Sequence, residues 1–439
     1  MIEDRDELAR TPAHDLALSC IEAGIEAAQP ERVIAEHVSV EGDTLRIVDS
    51  RYDLTAYDEI VLLGGGKAAD VVARALGDVL DDRIDRGLVV TTDPVETAAV
   101  EVVEGAHPVP DERAREGARE ILDRAREHGE RALLLVPITG GGSALLPLPA
   151  GDVRLRDLQA ITETLVESGA AIEEINAVRK HLSAIKGGGL AAAAAPATVV
   201  GLVFSDVVGD DPATIASGPT APDATTYEDA LAVLDQYDVD APGPVVDHLE
   251  AGAAGERSET PSGELPHVDN HVLANAWTAL SAAESVVADT DYEPVVLSSR
   301  IRGEATEAAL SQVAIAEECR ATGNPIEPPA VFLSGGEATV TVLGNGEGGP
   351  NLEFALRAGL ALPEGVVCAS VDTDGSDGAT DAAGAIVDGE TVADPMAARR
   401  ALVENDAVSV LEDAGALLET GPTGTNVNDL RVLVVESDG

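Results

Sequence analysis

Lys67, Lys180 and Lys186 are the only three lysines in a chain with 80 aspartates and glutamates. Each stands by glycine-rich backbone, in Gly64-Gly65-Gly66-Lys67 and in Arg179-Lys180-His181-Leu182-Ser183-Ala184-Ile185-Lys186-Gly187-Gly188-Gly189. A compact ammonium over exposed backbone N–H groups suits a phosphate. The first turn leads into a helix predicted from Ala68, where N–H groups and the helix dipole favour an anion, so Gly65, Gly66 and Lys67 are candidate binding residues. It is not a Walker A loop, because Ala68 replaces the magnesium-binding hydroxyl. Glycines needed only for the turn, and lysines left by chance in an acidic chain, are the competing explanations.

Gly140-Gly141-Gly142-Ser143-Ala144-Leu145 looks like a nucleophile elbow, but Leu145 breaks the G-x-S-x-G pattern. A second anion cradle fits better, with Gly141 and Gly142 lining it and Ser143 donating to a carboxylate or phosphate. Ser205-Asp206 opens an acidic loop, and Asp206 is placed to hold magnesium or to accept a hydroxyl proton. Asp372, Asp374 and Asp377 form the other acidic cluster. The glutamate that would close a calcium loop is replaced by Ala383, which favours a magnesium- or nucleotide-facing loop. His107, in a proline-bounded turn, is either a structural cap or a substrate contact, and the remaining histidines form no constellation. Gly344-Asn345-Gly346-Glu347-Gly348-Gly349 satisfies G-x-G-x-x-G and taken alone predicts an NAD(P)H-dependent dehydrogenase. Glu347 argues against it by pointing charge at a pyrophosphate.

Short valine- and leucine-rich runs that alternate with helical patterns must position these residues. Strands are predicted at residues 60–63, 87–91, 132–138, 198–204, 294–298, 330–333, 366–371 and 430–435. Helices are predicted at 112–127, capped by Asp111, at 154–174 and at 304–322. Five of the strands deliver glycine and polar residues at their carboxyl ends, the edge where open α/β sheets bind ligands. The expected fold is α/β: two Rossmann-like α/β/α domains with largely parallel sheets and an interdomain cleft, spanning 1–250 and 265–439 with a linker at 250–264.

Composition narrows the function. A net charge of −52 with 2% aromatic residues excludes a basic or stacking surface for nucleic acid. No apolar run approaches the roughly 20 residues that span a bilayer, and the acidic N-terminus is unlike a signal peptide. Cys20, Cys319 and Cys368 are too scattered for a disulfide framework. Such dense negative charge implies a halophile's cytoplasm, where molar salt screens the self-repulsion.

Eight motifs in order resemble the glycerate 2-kinases whose C-terminal part is the MOFRL domain, a group also known under hydroxypyruvate reductase names. They are residues 64–69, 107–111, 139–145, 205–223, 334–341, 348–353, 372–378 and 421–429. The resemblance covers almost the whole chain. It implies transfer of the γ-phosphoryl of ATP to the 2-hydroxyl of D-glycerate, with magnesium, in a cytoplasmic enzyme; a homodimer is the expected assembly. Lys67 matches the family's functional lysine, and Asp206 is the expected second catalytic group. Gly65, Gly66, His107, Ser143 and Arg179 are expected on the substrate. Gly141, Gly142, Lys186, Ser205, Gly335, Glu337, Asn351, Asp374, Thr425 and Asn426 are expected on the nucleotide, and Asp206, Asp372 and Asp377 on the metal. Pro350 stands where the family often has arginine, so Arg179, Arg300 or Arg302 would replace it. The alternative is a hydroxypyruvate reductase using the Gly344–Gly349 loop.

Overall fold

A computed structural model describes residues 1–437. One unit comprises Val33–Ser205 and Asp210–Leu273; the other comprises Met1–Arg32, Asp206–Gly209 and the chain from Ala274 onward. Helix α1 (Pro12–Ala27), with Thr11 accepting from the His14 N–H at its N-cap, therefore belongs with the C-terminal half. The expected split between 250 and 265 places it elsewhere. Its buried face, Leu16, Leu18, Ile21 and Ile25 among others, matches apolar surface formed by residues after 274, and this accounts for the difference.

The first unit is built on β1 (Glu59–Gly65), β2 (Arg86–Thr91), β3 (Val100–Glu104), β4 (Ala132–Ile138), β5 (Thr198–Phe204) and β6 (Val268–Ala274). Their order is β3-β2-β1-β4-β5-β6, and the pairings among β1 to β5 are all parallel. β4 is buried along its whole length, as expected of a strand covered on both faces. After β1 the chain builds outward through β2 and β3, then returns to add β4 on the other side, so β1 and β4 bound a topological switch point. Helices α2 (Ala69–Leu80) and α3 (Glu112–Ala125) follow β1 and β3; Asp111 caps α3 by accepting from the Ala114 N–H at 2.9 Å.

The helix expected over 154–174 is two helices, α4 (Leu155–Glu167) and α5 (Ile172–His181). Gly169 at φ 76° ends the first, a left-handed conformation that glycine adopts without a Cβ penalty. Together with α6 (Tyr227–Gln236) and α7 (Gly243–Ala253) they enclose a core of Leu158, Ile161, Val178, Val245 and Leu249. The expected linker folds into this unit: α7 occupies its start, and Pro261 O accepts from the Asp223 N–H at 2.8 Å.

The second unit carries α8 (Ala276–Ala288), α9 (Ala305–Thr322) and α10 (Pro350–Gly359) around a sheet of β7 (Glu293–Glu304), β8 (Ala330–Thr339), β9 (Val366–Asp372), β10 (Gly384–Asp388), β11 (Leu417–Leu418) and β12 (Asp429–Val435). The strand order is β7-β8-β12-β9-β10-β11. Here the sheet is mixed: β7 and β8 run parallel, while β12 lies antiparallel between β8 and β9 and the remaining pairs are antiparallel. Largely parallel sheets were the expectation, and this sheet has one parallel pair; β12 inserts centrally because its seven residues are all buried and find apolar partners on either side.

Candidate active site

In the first unit the glycine turns after β1 and β4 are fastened to one another. The N–H of Lys67 donates to Gly140 O at 2.8 Å, that of Ala68 to Thr139 Oγ1 at 3.1 Å, and that of Gly66 to Val90 O at 3.0 Å. These bonds correct the expected anion cradle at 64–67, whose N–H groups are already satisfied within the protein. Gly66 is required instead for close approach: at φ 142°, a Cβ would stand 2.2 Å from Thr139 Oγ1. The junction carries the Lys67 side chain over the second turn. A Cβ on Gly141, at φ 77°, would lie 3.0 Å from His107 Cδ2 and 3.1 Å from Lys67 Cγ, so the imidazole and the lysine stem meet there.

Ser143 continues the same turn. Its Oγ lies 2.7 Å from Ser217 Oγ, which itself donates to Asn176 Oδ1 at 2.9 Å. A hydroxyl has one hydrogen, so Ser143 is the donor to Ser217 and keeps only acceptor capacity for anything else. This reverses the donor role expected of it. Lys186 is likewise reassigned from nucleotide to scaffold. Its Nζ donates to Ser143 O at 2.8 Å and to Leu146 O at 3.3 Å, clamping the one-turn helix Gly142–Leu145. Burial, and then the nearby Arg179 guanidinium, push the Lys186 ammonium down to about 7. Lys180 is also structural, its Nζ 3.2 Å from Asp223 Oδ1. Ser205, directly after β5, is buried.

In the second unit, carboxylates gather where β8 and β9 end. Asp429 stands in register between Gly336 on β8 and Asp372 on β9. Asn351 is the hub: its Nδ2 donates to Asp429 Oδ1 at 2.6 Å, and its Oδ1 accepts from Ser370 Oγ at 2.6 Å. Asp377 takes the backbone N–H groups of Asn351 (3.0 Å) and Leu352 (2.8 Å), filling the N-terminus of α10. A Cβ on Gly349 would stand 2.4 Å from the Asp377 carboxyl. Asp377 is thereby corrected from metal ligand to helix cap, and Asn351 from nucleotide contact to buried bridge.

The same geometry weighs against the dinucleotide reading. The helix terminus that would hold a pyrophosphate is filled by a carboxylate, and Gly344 and Gly346 serve to pack against Glu404 and Asp406. Of the expected nucleotide contacts, Thr425 donates to Ala28 O at 2.6 Å and Asn426 Oδ1 accepts from the Asn428 N–H at 2.9 Å. Gly335 is buried inside β8.

Burial, and then Asp374, push the Asp372 carboxyl well above its ordinary value. Asp377 is raised to about 6, chiefly by burial. Glu337, although exposed as a residue, is pushed up to about 7 by the protein around its carboxyl and then by Asp206 and Asp429. Asp374 accepts from the Ser376 N–H at 2.9 Å. Among the described residues no group of three or more histidines, cysteines or carboxylates is arranged to hold a metal by itself.

Asn176, Ser217 and Asp429 are the site residues that sequence reading did not single out. Ser217 lies in a polar run after β5 and Asp429 closes the 421–429 motif, whereas nothing marks Asn176, inside a helix, as distinct from any other polar residue.

Residues 16–250 match a family described as a domain of unknown function, DUF4147, and residues 330–429 match the MOFRL family. A glycerate 2-kinase of Pyrococcus horikoshii is 39% identical, over 96% of this chain and 97% of its own. An Agrobacterium vitis protein carrying a hydroxypyruvate reductase name is 40% identical over 85% of this chain and 87% of its own. The crystal structure of a Thermotoga maritima glycerate kinase superposes with a TM-score of 0.84 at 38% identity, over 96% of this chain and 98% of that one.

Proposed function

Because the chain belongs to the DUF4147–MOFRL family, whose members include glycerate kinases, we propose that it is an ATP-dependent glycerate kinase yielding 2-phosphoglycerate and ADP. The observation that carries this reading is the meeting of Lys67 and His107 over Gly141, at the switch point of a parallel sheet, in a relative of glycerate kinases along nearly its whole length. The occupied N-terminus of α10 favours it over the reductase.

Phosphoryl transfer asks a protein for positioning and charge neutralisation more than for covalent chemistry. Lys67 neutralises the transferring phosphoryl, and its fixed backbone limits the motion of the ammonium. Ser143, an acceptor, orients a substrate hydroxyl. His107 borders the same space.

Magnesium, when bound, neutralises polyphosphate charge. The donor set fits a site of the kind that keeps water and phosphate oxygens as most of its ligands, with one or two protein carboxylates. Asp206, Glu337 and Asp372 would supply those carboxylates, while Asp377 accepts from the first turn of α10. The Glu337 and Asp372 carboxyls, raised by burial and by neighbouring carboxylates, gain from a cation that lets them ionise.

The test is a purified preparation in molar potassium chloride, given D-glycerate with ATP and, separately, hydroxypyruvate with NADH. ADP and 2-phosphoglycerate should form and NADH should persist. Removing the phosphoryl-neutralising cation with Lys67→Ala should lower kcat by about 10²–10³-fold with the fold intact; near-normal turnover would overturn the assignment. The work of such an enzyme belongs in a cytoplasm of high salt.

A further inference from the structure

Arg179 is out of place electrostatically. In a chain with 80 acidic residues its guanidinium, half-buried, makes no hydrogen bond or ion pair to any described residue. Its charge acts on Lys186, another cation, whose ammonium is buried on two carbonyls with no carboxylate. Two like charges held close and away from water disfavour each other, and the arrangement is relieved when an anion arrives.

Local geometry fixes which anion. Asn176 and Arg179 are three apart on α5 and share a helix face. Asn176 is tied through Ser217 to Ser143, and Lys186 is tied to the Ser143 carbonyl, so the helix face that carries Arg179 adjoins that end of the Gly140–Leu146 turn. Lys67 lies against Gly141 at the other end. Two residues of extended chain span at most about 7 Å, which suits a small molecule that carries its reacting hydroxyl near its acid group. Ser143 can only accept, so a ligand group that meets it must be a donor. A phosphate group bound as a full anion has no O–H to give, whereas a hydroxy acid has both an O–H and a carboxylate. The planar guanidinium fork matches a carboxylate in a bidentate manner.

We propose that Arg179 binds the carboxylate of the acceptor substrate and that Ser143 reads its hydroxyl, which makes this pair the determinant of selectivity for hydroxy acids over neutral polyols. The inference rests on the kinase reading and assigns the acid group to a residue of the first unit.

The experiment measures KM for D-glycerate and for ATP separately in wild type, Arg179→Met and Arg179→Lys, with glyceramide as the neutral analogue. Losing a bidentate charged contact should raise KM for glycerate about 100-fold in Arg179→Met. KM for ATP should stay within about threefold, and the preference for glycerate over glyceramide should fall by the same factor as the acid contact is lost. Arg179→Lys, which keeps the charge without the fork, should fall between. A raised KM for ATP with that for glycerate unchanged would assign the guanidinium to phosphate and overturn the proposal; unchanged constants for both would overturn it as well. Thermal midpoints in molar potassium chloride identify a variant that fails to fold, in which case Arg179→Lys decides. If the wild type phosphorylates no glycerate, the kinase reading fails by itself, and calorimetric binding of glycerate to wild type and Arg179→Met still tests Arg179: equal affinities refute it.

Discussion

At the scale of single residues, the lysines follow three different physical fates. Lys67 is held by its backbone with its stem against glycine, Lys180 is neutralised by Asp223, and Lys186 replaces water with two carbonyls. Scarcity pointed to all three, but it could not separate an ammonium that acts from one that braces, because that depends on which carbonyls come within reach. The Lys186 ammonium yields a pH prediction. Its value in the folded state is about 7 against an ordinary 10.5, so between those limits the unfolded chain binds a proton that the folded protein has released. Stability contributed through this group must therefore rise as pH increases across that window. Thermal midpoints measured from pH 7 to 10 in molar potassium chloride should climb in wild type and climb less in Lys186→Met. Identical slopes would show that the buried amine does not titrate there.

At the scale of elements, the parallel sheet of the first unit was legible because its strands are continuous apolar runs ending in glycine. The mixed sheet of the second unit was not, since a central strand such as β12 reads the same whether its neighbours run with it or against it. The Gly169 break was likewise hidden: the pattern on either side remains helical, and only the left-handed backbone ends α4. The β1–β4 junction is the element on which the candidate site depends. Gly66→Ala would place a methyl group 2.2 Å from Thr139 Oγ1 and force a φ of 142° on an L-residue. The strained backbone alone costs about 1–3 kcal/mol, and the clash adds to it. The variant should show a lower thermal midpoint and lose kinase activity together, whereas Gly77→Ala, inside α2 with open space around it, should keep the activity and raise the midpoint slightly.

For the whole molecule, 80 acidic against 28 basic side chains set the conditions of stability more than any one contact does. Cores rich in alanine and valine bury modest area per residue, and the surface repels itself. The screening length falls from about 10 Å at 0.1 M salt to about 3 Å at 1 M, so the thermal midpoint should rise steeply over that range of potassium chloride. A midpoint indifferent to salt would remove the inference of a saline cytoplasm. Among the described residues no helix is long and apolar enough to cross a membrane.

The placement of α1 has a bearing on biosynthesis. The helix leaves the ribosome long before residues 429–435, yet Gly24 nestles against Leu430 of that late strand. At translation speeds of about 5–20 residues per second, the roughly 400 intervening residues take about 20–80 s. For that interval part of a greasy helix face is exposed in the nascent polypeptide, because α8 covers one side of it earlier and the strand that covers the rest is still untranslated. The second unit thus completes its sheet only once residues 429–435 have been made, and its earliest segment waits longest for that strand.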